Sequence, residues 1–346
     1  MRVLIDLTHP AQVHFFKHPI RELREAGNEV MVTSRDKDVE LQLLDTLAIE
    51  HICLSRSRRG LAGLALELLE RNARMLSVAR RFRPHVMAAR MGISVGLPGT
   101  MLRVPRVVFE DTEHARLQAS LSLPFATRIV TGLGYERDFG ARQIRFRGFP
   151  VLSYLAPDRF RPDPLILGDH GIDVERPFIV LRTVAWSAAH DIGVERSGPD
   201  DLRAAVIRLG GHGRVIISAE GPLPNDLEPL RNPVPVEQVH HLLAHARLFI
   251  GESGTMAAEA AVLGTPSVFC NPLRTGYLRS LEGLGLVVLE DRLSDGIDKA
   301  ENLLLRDDLL SDWKTKRDAM LSQCEDVVGA MVEAIRGAAN SPRAAS

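Results

Sequence analysis

The sequence predicts an α/β fold built from two doubly wound halves, each a parallel sheet covered by helices on both faces. Three observations predict it. Short continuous apolar runs alternate with longer helical patterns along most of the chain, and such runs are strands buried on both faces, as parallel strands are. The alternation occurs twice, interrupted by a proline-rich stretch without a period. At 346 residues the chain is also long for one domain.

In the first half "RVLIDL" (2–7) is a strand and "FFKHPIRELREAG" (15–27) a helix closed by Gly27. "EVMVTS" (29–34) is the next strand, followed by a helix over about 37–48 and the strand "IEHICL" (49–54). A long amphipathic helix near 61–83 leads to "HVMAAR" (85–90), and a helix near 93–103 to "RVVFED" (106–111). "RIVTG" (128–132) and "IRFRGF" (144–149) complete a domain over 1–150. Pro157, Pro162 and Pro164, flanked by Pro150 and Pro177, mark 151–176 as a linker. A second domain over 177–338 begins with "PFIVLRT" (177–183), a helix at 200–210 and "RVIISAE" (214–220). A helix at 236–246, "RLFIGE" (247–252) and "GESGTMAAEAAVLGTPSVF" (251–269) follow. Helices fill 291–337, and the last of them are candidates to pack back on the first domain. Two such halves are expected to face a cleft, with ligands beyond the carboxyl ends of the strands.

Net charge is −1, with 45% hydrophobic and 25% charged residues, a balance that argues against a nucleic-acid binder. Cys53, Cys270 and Cys324 are scattered, which predicts a reducing, cytoplasmic setting without disulfides. No run approaches the 18 apolar residues of a membrane span. The helix near 61–83 carries Arg71, Arg74, Arg80, Arg81 and Arg83, with Arg56, Arg58 and Arg59 just before it. A basic amphipathic helix can lie on an anionic membrane. A sheet-covering helix with a solvated basic face is the favoured reading.

Candidate functional residues cluster where strands end. After the first strand, "DLTHPAQVHFF" offers Asp6, Thr8, His9, Gln12 and His14. His9 or His14 is expected to face the ligand. Two alternatives stay open: His14 and His18 facing solvent one helical turn apart, or the pair sharing a metal, for which no third ligand is indicated. After "RVVF" come Glu110, Asp111, Glu113 and His114. Crowded ionisable groups shift one another's pKa values and suit acid/base work; Asp111 or Thr112 capping the next helix would explain only some of them. After "FIVLRT", Arg182 is placed either to clamp a phosphate or to form an ion pair, and His190 and Asp191 follow.

The last motif starts with Glu252, Ser253, Gly254 and Thr255 between a strand and an Ala-rich helix. The first amides of a helix lack internal partners and carry the positive end of its dipole, an arrangement that binds phosphate. Gly254 lets the backbone approach closely. Glu259 lies within reach of a ribose from such a seat, and Gly264 ends the helix ahead of Thr265 and Pro266. The nucleophile elbow fails because Thr255 stands where it needs glycine. A Walker loop is absent, and "GLGYERDFG" (132–140) lacks the third dinucleotide glycine.

"RLFIGESGTMAAEAAVLGTPSVF" resembles the nucleotide-sugar signature of the GT-B superfamily. It is most similar in pattern to UDP-N-acetylglucosamine 2-epimerases and to the N-acetylglucosaminyltransferase of peptidoglycan lipid synthesis. Ser253, Glu259 and Gly264-Thr265-Pro266 match that signature place for place. The resemblance implies that Ser253 and Gly254 hold a diphosphate and that Glu259 holds the ribose hydroxyls. "IDLTHPAQVHFFKHPIRELREAGNEVMVTSRD", "FEDTEHA" and the 182–191 segment are similar to a family of archaeal and bacterial proteins catalogued as a domain of unknown function and grouped with GT-B folds. Glu110 stands where the epimerases carry an acidic residue. "LTHPAQ" replaces their opening loop, and their later catalytic carboxylates have no clean match.

The resemblance implies two doubly wound Rossmann-like domains of GT-B type. It also implies a nucleotide-sugar-dependent glycosyltransferase acting in glycan or glycolipid synthesis. In that reading His14, Glu110, Asp111 or Glu113 supplies the base. Thr8, His9, Arg182, His190, Glu252, Ser253, Gly254, Thr255 and Glu259 bind the nucleotide sugar. The substrate is a nucleotide sugar, UDP-linked by the resemblance, and the acceptor a sugar or a lipid-linked sugar. No metal and no further cofactor are expected. A UDP-N-acetylhexosamine 2-epimerase-like isomerase is the first alternative, and a nucleotide-sugar-binding module without catalysis the second.

Overall fold

The computed structural model describes residues 1–58, 60–113, 115–184 and 197–340. The chain divides into two compact units, Met1–Tyr154 with Glu325–Ser346, and Leu155–Cys324.

The first unit opens with β1 (Arg2–Asp6), α1 (Pro10–Glu25), β2 (Glu29–Asp36), α2 (Glu40–Thr46), β3 (Ile52–Arg56) and α3 (Gly60–Phe82). It continues with β4 (Val86–Arg90), α4 (Ile93–Met101), β5 (Arg106–Glu110), α5 (Arg116–Ser122), β6 (Arg128–Thr131), β7 (Gln143–Arg145) and α6 (Leu152–Leu155). The strands form a parallel sheet in the order β3-β2-β1-β4-β5-β6-β7. Strands β1, β4 and β5 carry apolar side chains that are almost wholly buried, as a sheet covered on both faces requires. The order reverses between β1 and β4, so their carboxyl ends flank this sheet's switch point.

Helix α1 starts at Pro10, five residues before the expected start, because His9 caps it and Pro10 takes its first position. Its His9 Nδ1 accepts from Ala11 N at 3.2 Å.

The second unit holds α7 (Pro164–Asp169), β8 (Phe178–Thr183), α8 (Pro199–Gly210), β9 (Arg214–Ala219), α9 (Val239–His245), β10 (Leu248–Gly251) and α10 (Gly254–Leu263). Then come β11 (Ser267–Cys270), α11 (Gly276–Gly283), β12 (Val287–Glu290), α12 (Leu293–Leu304) and α13 (Leu309–Leu321). The parallel sheet runs β12-β11-β10-β8-β9 and switches between β10 and β8. Gly251 is obligatory there, since a Cβ would stand 2.3 Å from the Arg182 carbonyl oxygen. Trp313 of α13 is buried and donates its indole N–H to Leu286 O at 2.9 Å.

The 151–176 stretch carries structure of its own. Asp163 caps α7, accepting from Leu165 N at 3.0 Å, and Pro164 is that helix's first residue. The chain then returns to the first unit with α14 (Val327–Asn340), whose Val327, Val328, Met331 and Ile335 are buried. Glu325 N donates to Arg147 O at 2.8 Å on the way in.

Candidate functional site

In the first unit the chemistry gathers at the ends of β4 and β5. Glu110, the last residue of β5, is 3% exposed. Its Oε1 accepts from Asp111 N at 3.1 Å and Thr112 N at 2.9 Å. Its Oε2 has no hydrogen-bond partner among the described residues. Glu110 lines a small pocket with Phe15, Phe109, Val130, Phe146 and Arg90. Burial pushes its carboxyl from 4.5 up to about 7, against the opposing pull of the Thr112 amide and Arg90. A carboxyl poised near neutrality, with one oxygen unengaged, can take or give a proton.

Asp111 is not such a group. Arg90 forms an ion pair with it, with Nε 3.3 Å from Oδ1, and Thr112 Oγ1 donates to it at 2.9 Å. The guanidinium also lies over the Phe15 ring, 5.2 Å from its centre. Glu113 Oε1 accepts from Glu136 N at 3.4 Å. The capping role is not realised: α5 is preceded by Ala115, and no side chain caps it. His114 lies outside the described residues.

The loop after β1 is organised by its own side chains. Gln12 Oε1 accepts from Thr8 N at 2.8 Å and from Thr8 Oγ1 at 3.3 Å. Thr8 and His9 therefore shape the start of α1, with His9 exposed. His14 and His18 are both buried in α1, which corrects the solvent-facing alternative. The His14 ring lies against Tyr154, 5.5 Å between centres.

In the second unit the switch point between β8 and β10 is closed by Glu252. Its Oε2 accepts from Val184 N at 3.2 Å and Thr183 Oγ1 at 3.3 Å. Asn271, at the end of β11, donates to Glu252 O at 3.4 Å. Arg182 takes the ion-pair alternative, binding Glu220 and donating to Ser218 Oγ at 3.0 Å. His190 and Asp191 lie outside the described residues.

Ser253 caps α10, its Oγ accepting from Met256 N at 3.4 Å, and its carbonyl accepts from Ala257 N at 2.9 Å. The amides of Gly254 and Thr255 make no hydrogen bond among the described residues. They are two open donors at the positive end of a ten-residue helix. A Cβ on Gly254 would meet Leu278 Cδ1 at 3.0 Å. Gly264 ends the helix at φ 87°, a left-handed turn that suits glycine. Glu259 is buried within α10, and His240 Nε2 of α9 lies 3.2 Å from its Oε1.

Two contributors were not singled out in the sequence. Arg90 had a usable signal, because it ends a strand beside the crowded carboxylates. His240 had none: it sits in the middle of "VEQVHHLLAH", and only the packing of α9 on α10 brings it to Glu259.

Residues 1–193, more than half the chain, match the family described as "Protein of unknown function (DUF354)". The chain belongs to this DUF354 family. An uncharacterised protein of Methanocaldococcus jannaschii is 25% identical over 280 residues, 78% of this chain and 82% of the relative. Among solved structures, the UDP-GlcNAc 2-epimerase of Neisseria meningitidis bound to UDP-GlcNAc superposes with a TM-score of 0.69. It is 13% identical, with 97% of this chain and 98% of the other covered. A spinosyn forosaminyltransferase gives a TM-score of 0.65 at 14% identity, covering 97% and 99%. This DUF354 member therefore has a GT-B fold, with two Rossmann-like α/β units. Among its described residues no helix is long and apolar enough to cross a membrane.

Proposed function

We propose that this DUF354 protein is a nucleotide-sugar-dependent glycosyltransferase, with a sugar or lipid-linked sugar as acceptor. The second unit holds the nucleotide: the open amides of Gly254 and Thr255 receive the diphosphate, and Glu259 receives the ribose hydroxyls. In the first unit Glu110 takes the acceptor proton. A helix terminus stabilises the departing diphosphate without needing a metal.

The observation that carries this reading is the pair of unengaged amides at the start of α10, just beyond the switch point of its sheet. The likeness of fold to nucleotide-sugar enzymes of both kinds supports it. Transfer is preferred to epimerisation by the state of the carboxylates. A transferase needs one base on the acceptor, and Glu110 has a free oxygen. Moving a proton off and back onto a sugar ring is served by two such groups, and Asp111 is already committed to Arg90.

A thermal-shift panel of nucleotide sugars tests the binding half. A ligand at about 100 times its Kd should stabilise the fold by about 2.7 kcal/mol. Phosphorus NMR on the incubated mixture then separates released nucleoside diphosphate from an epimerised sugar. Tight binding with an unchanged ligand would instead mark a binding module.

A further inference from the structure

We infer that His240 is a positioning residue for nucleotide recognition: it aims the Glu259 carboxylate that the reading above assigns to the ribose, and so sets the preference for ribose over deoxyribose. The inference rests on that assignment and adds a residue to it.

Glu259 and His240 are 5% and 2% exposed, on neighbouring helices α10 and α9. His240 Nε2 stands 3.2 Å from Glu259 Oε1, within reach of an N–H···O bond to a carboxylate. The imidazole is itself confined: the Phe160 ring meets it edge-on with centres 6.0 Å apart, and also packs on His241 at 4.8 Å.

A glutamate side chain turns about three bonds. To accept from two adjacent hydroxyls it must be held in one rotamer, and a ligand that has to order it loses affinity. The bond from His240 to one oxygen supplies that order before the ligand arrives. Its energy appears in full only with a ligand that offers both hydroxyls, so it favours a ribonucleotide over a 2′-deoxyribonucleotide, which keeps only one. A histidine that merely fills space between α9 and α10 would affect both equally.

The test is calorimetric titration of the full chain with UDP and with 2′-deoxy-UDP. The wild type should prefer UDP by about tenfold, the worth of a hydrogen bond to a charged group. His240→Leu should bring that ratio close to one, with the loss of affinity falling mainly on UDP and less on 2′-deoxy-UDP. His240→Gln, which keeps an N–H donor, should restore much of the ratio. His240→Met fills the space without a donor and replaces the leucine variant if that one does not fold. If the donorless variant keeps the wild-type ratio while Glu259→Gln abolishes it, the positioning role is wrong and the ribose assignment stands. If Glu259→Gln also keeps the ratio, or UDP does not bind, the ribose assignment itself fails and the inference falls with it.

Discussion

Arg71, in the middle of α3, is buried against Asp6 at the carboxyl end of β1. Thr33 Oγ1 and Ser94 Oγ also donate to Asp6. The same guanidinium donates to Ser34 O at 2.8 Å and to Leu7 O at 3.0 Å. One arginine thus ties α3 to the ends of two strands and to the loop that leads into α1. Arg71→Leu should cost the first unit about 3–5 kcal/mol, the usual penalty for leaving a buried partner charge alone. Asp6→Asn combined with Arg71→Leu should recover part of it. Urea denaturation measures both; a loss below about 1 kcal/mol for Arg71→Leu would mean that water reaches Asp6.

Glu40 provides a second, purely energetic test. It is fully buried at the start of α2, with Oε1 accepting from Arg35 N at 3.0 Å and Oε2 unpartnered among the described residues. Burial raises its carboxyl from 4.5 to about 7. A raised folded-state pKa means that the folded chain keeps a proton the unfolded chain has lost. Its contribution is therefore present below about 4.5, declines as pH rises through 7, and is level above that. The change is of order 3 kcal/mol. Glu40→Gln should flatten that part of the profile and raise the melting temperature at pH 8. An unaltered slope in melting temperature against pH would show that the carboxyl is not protonated in the fold.

Glu110 titrates in the same window, but its consequence is chemical. In its proposed role as base it works only when ionised, so kcat/KM should rise with pH, reach half its plateau near 7, the value burial gives the carboxyl, and level off above that. Glu110→Gln should lower turnover by about 10²–10⁴-fold with little change in nucleotide affinity. Wild-type turnover in the glutamine variant would remove Glu110 from the chemistry.

Gly251→Ala tests the floor of the proposed nucleotide site. The added methyl would stand 2.3 Å from Arg182 O, a backbone atom that cannot step aside. Overpacking of this kind costs about 1–3 kcal/mol, and it would pry β10 from β8 beneath Glu252. Lower stability together with weaker nucleotide binding is expected; a variant as stable as the wild type would mean that the sheet opens there without resistance.

The alternation of strands and helices was legible because buried parallel strands leave continuous apolar runs, and β1, β4, β5 and β8 fall where those runs predicted. Strand β12 was not legible. Its four residues follow "LEGLGL", an apolar stretch whose period fits helix or strand equally. The proline-rich stretch misled in one respect, since Pro164 opens a helix there. Arg71 misled in another: the arginines of α3 read as a solvated face, and only the fold brings one of them to Asp6. The open amides of Gly254 and Thr255 were legible because they follow from one local strand-to-helix turn. The bond between Glu259 and His240 was not, because they stand nineteen residues apart on two different helices.

The proposed nucleotide seat at the start of α10 is tested most directly by calorimetric titration of UDP into the wild type and Gly254→Pro. Proline is favoured at the first position of a helix and removes one of the two donors. Ser253 before it is already extended, as the residue preceding a proline prefers. A Cβ at this position would have as nearest neighbours Leu278 Cδ1 at 3.0 Å, the Tyr277 hydroxyl at 3.5 Å and Phe269 Cε2 at 3.7 Å. The predicted result is saturable UDP binding by the wild type and at least about tenfold weaker binding by a folded variant. Equal affinities in the two proteins, or no binding by the wild type, would contradict it.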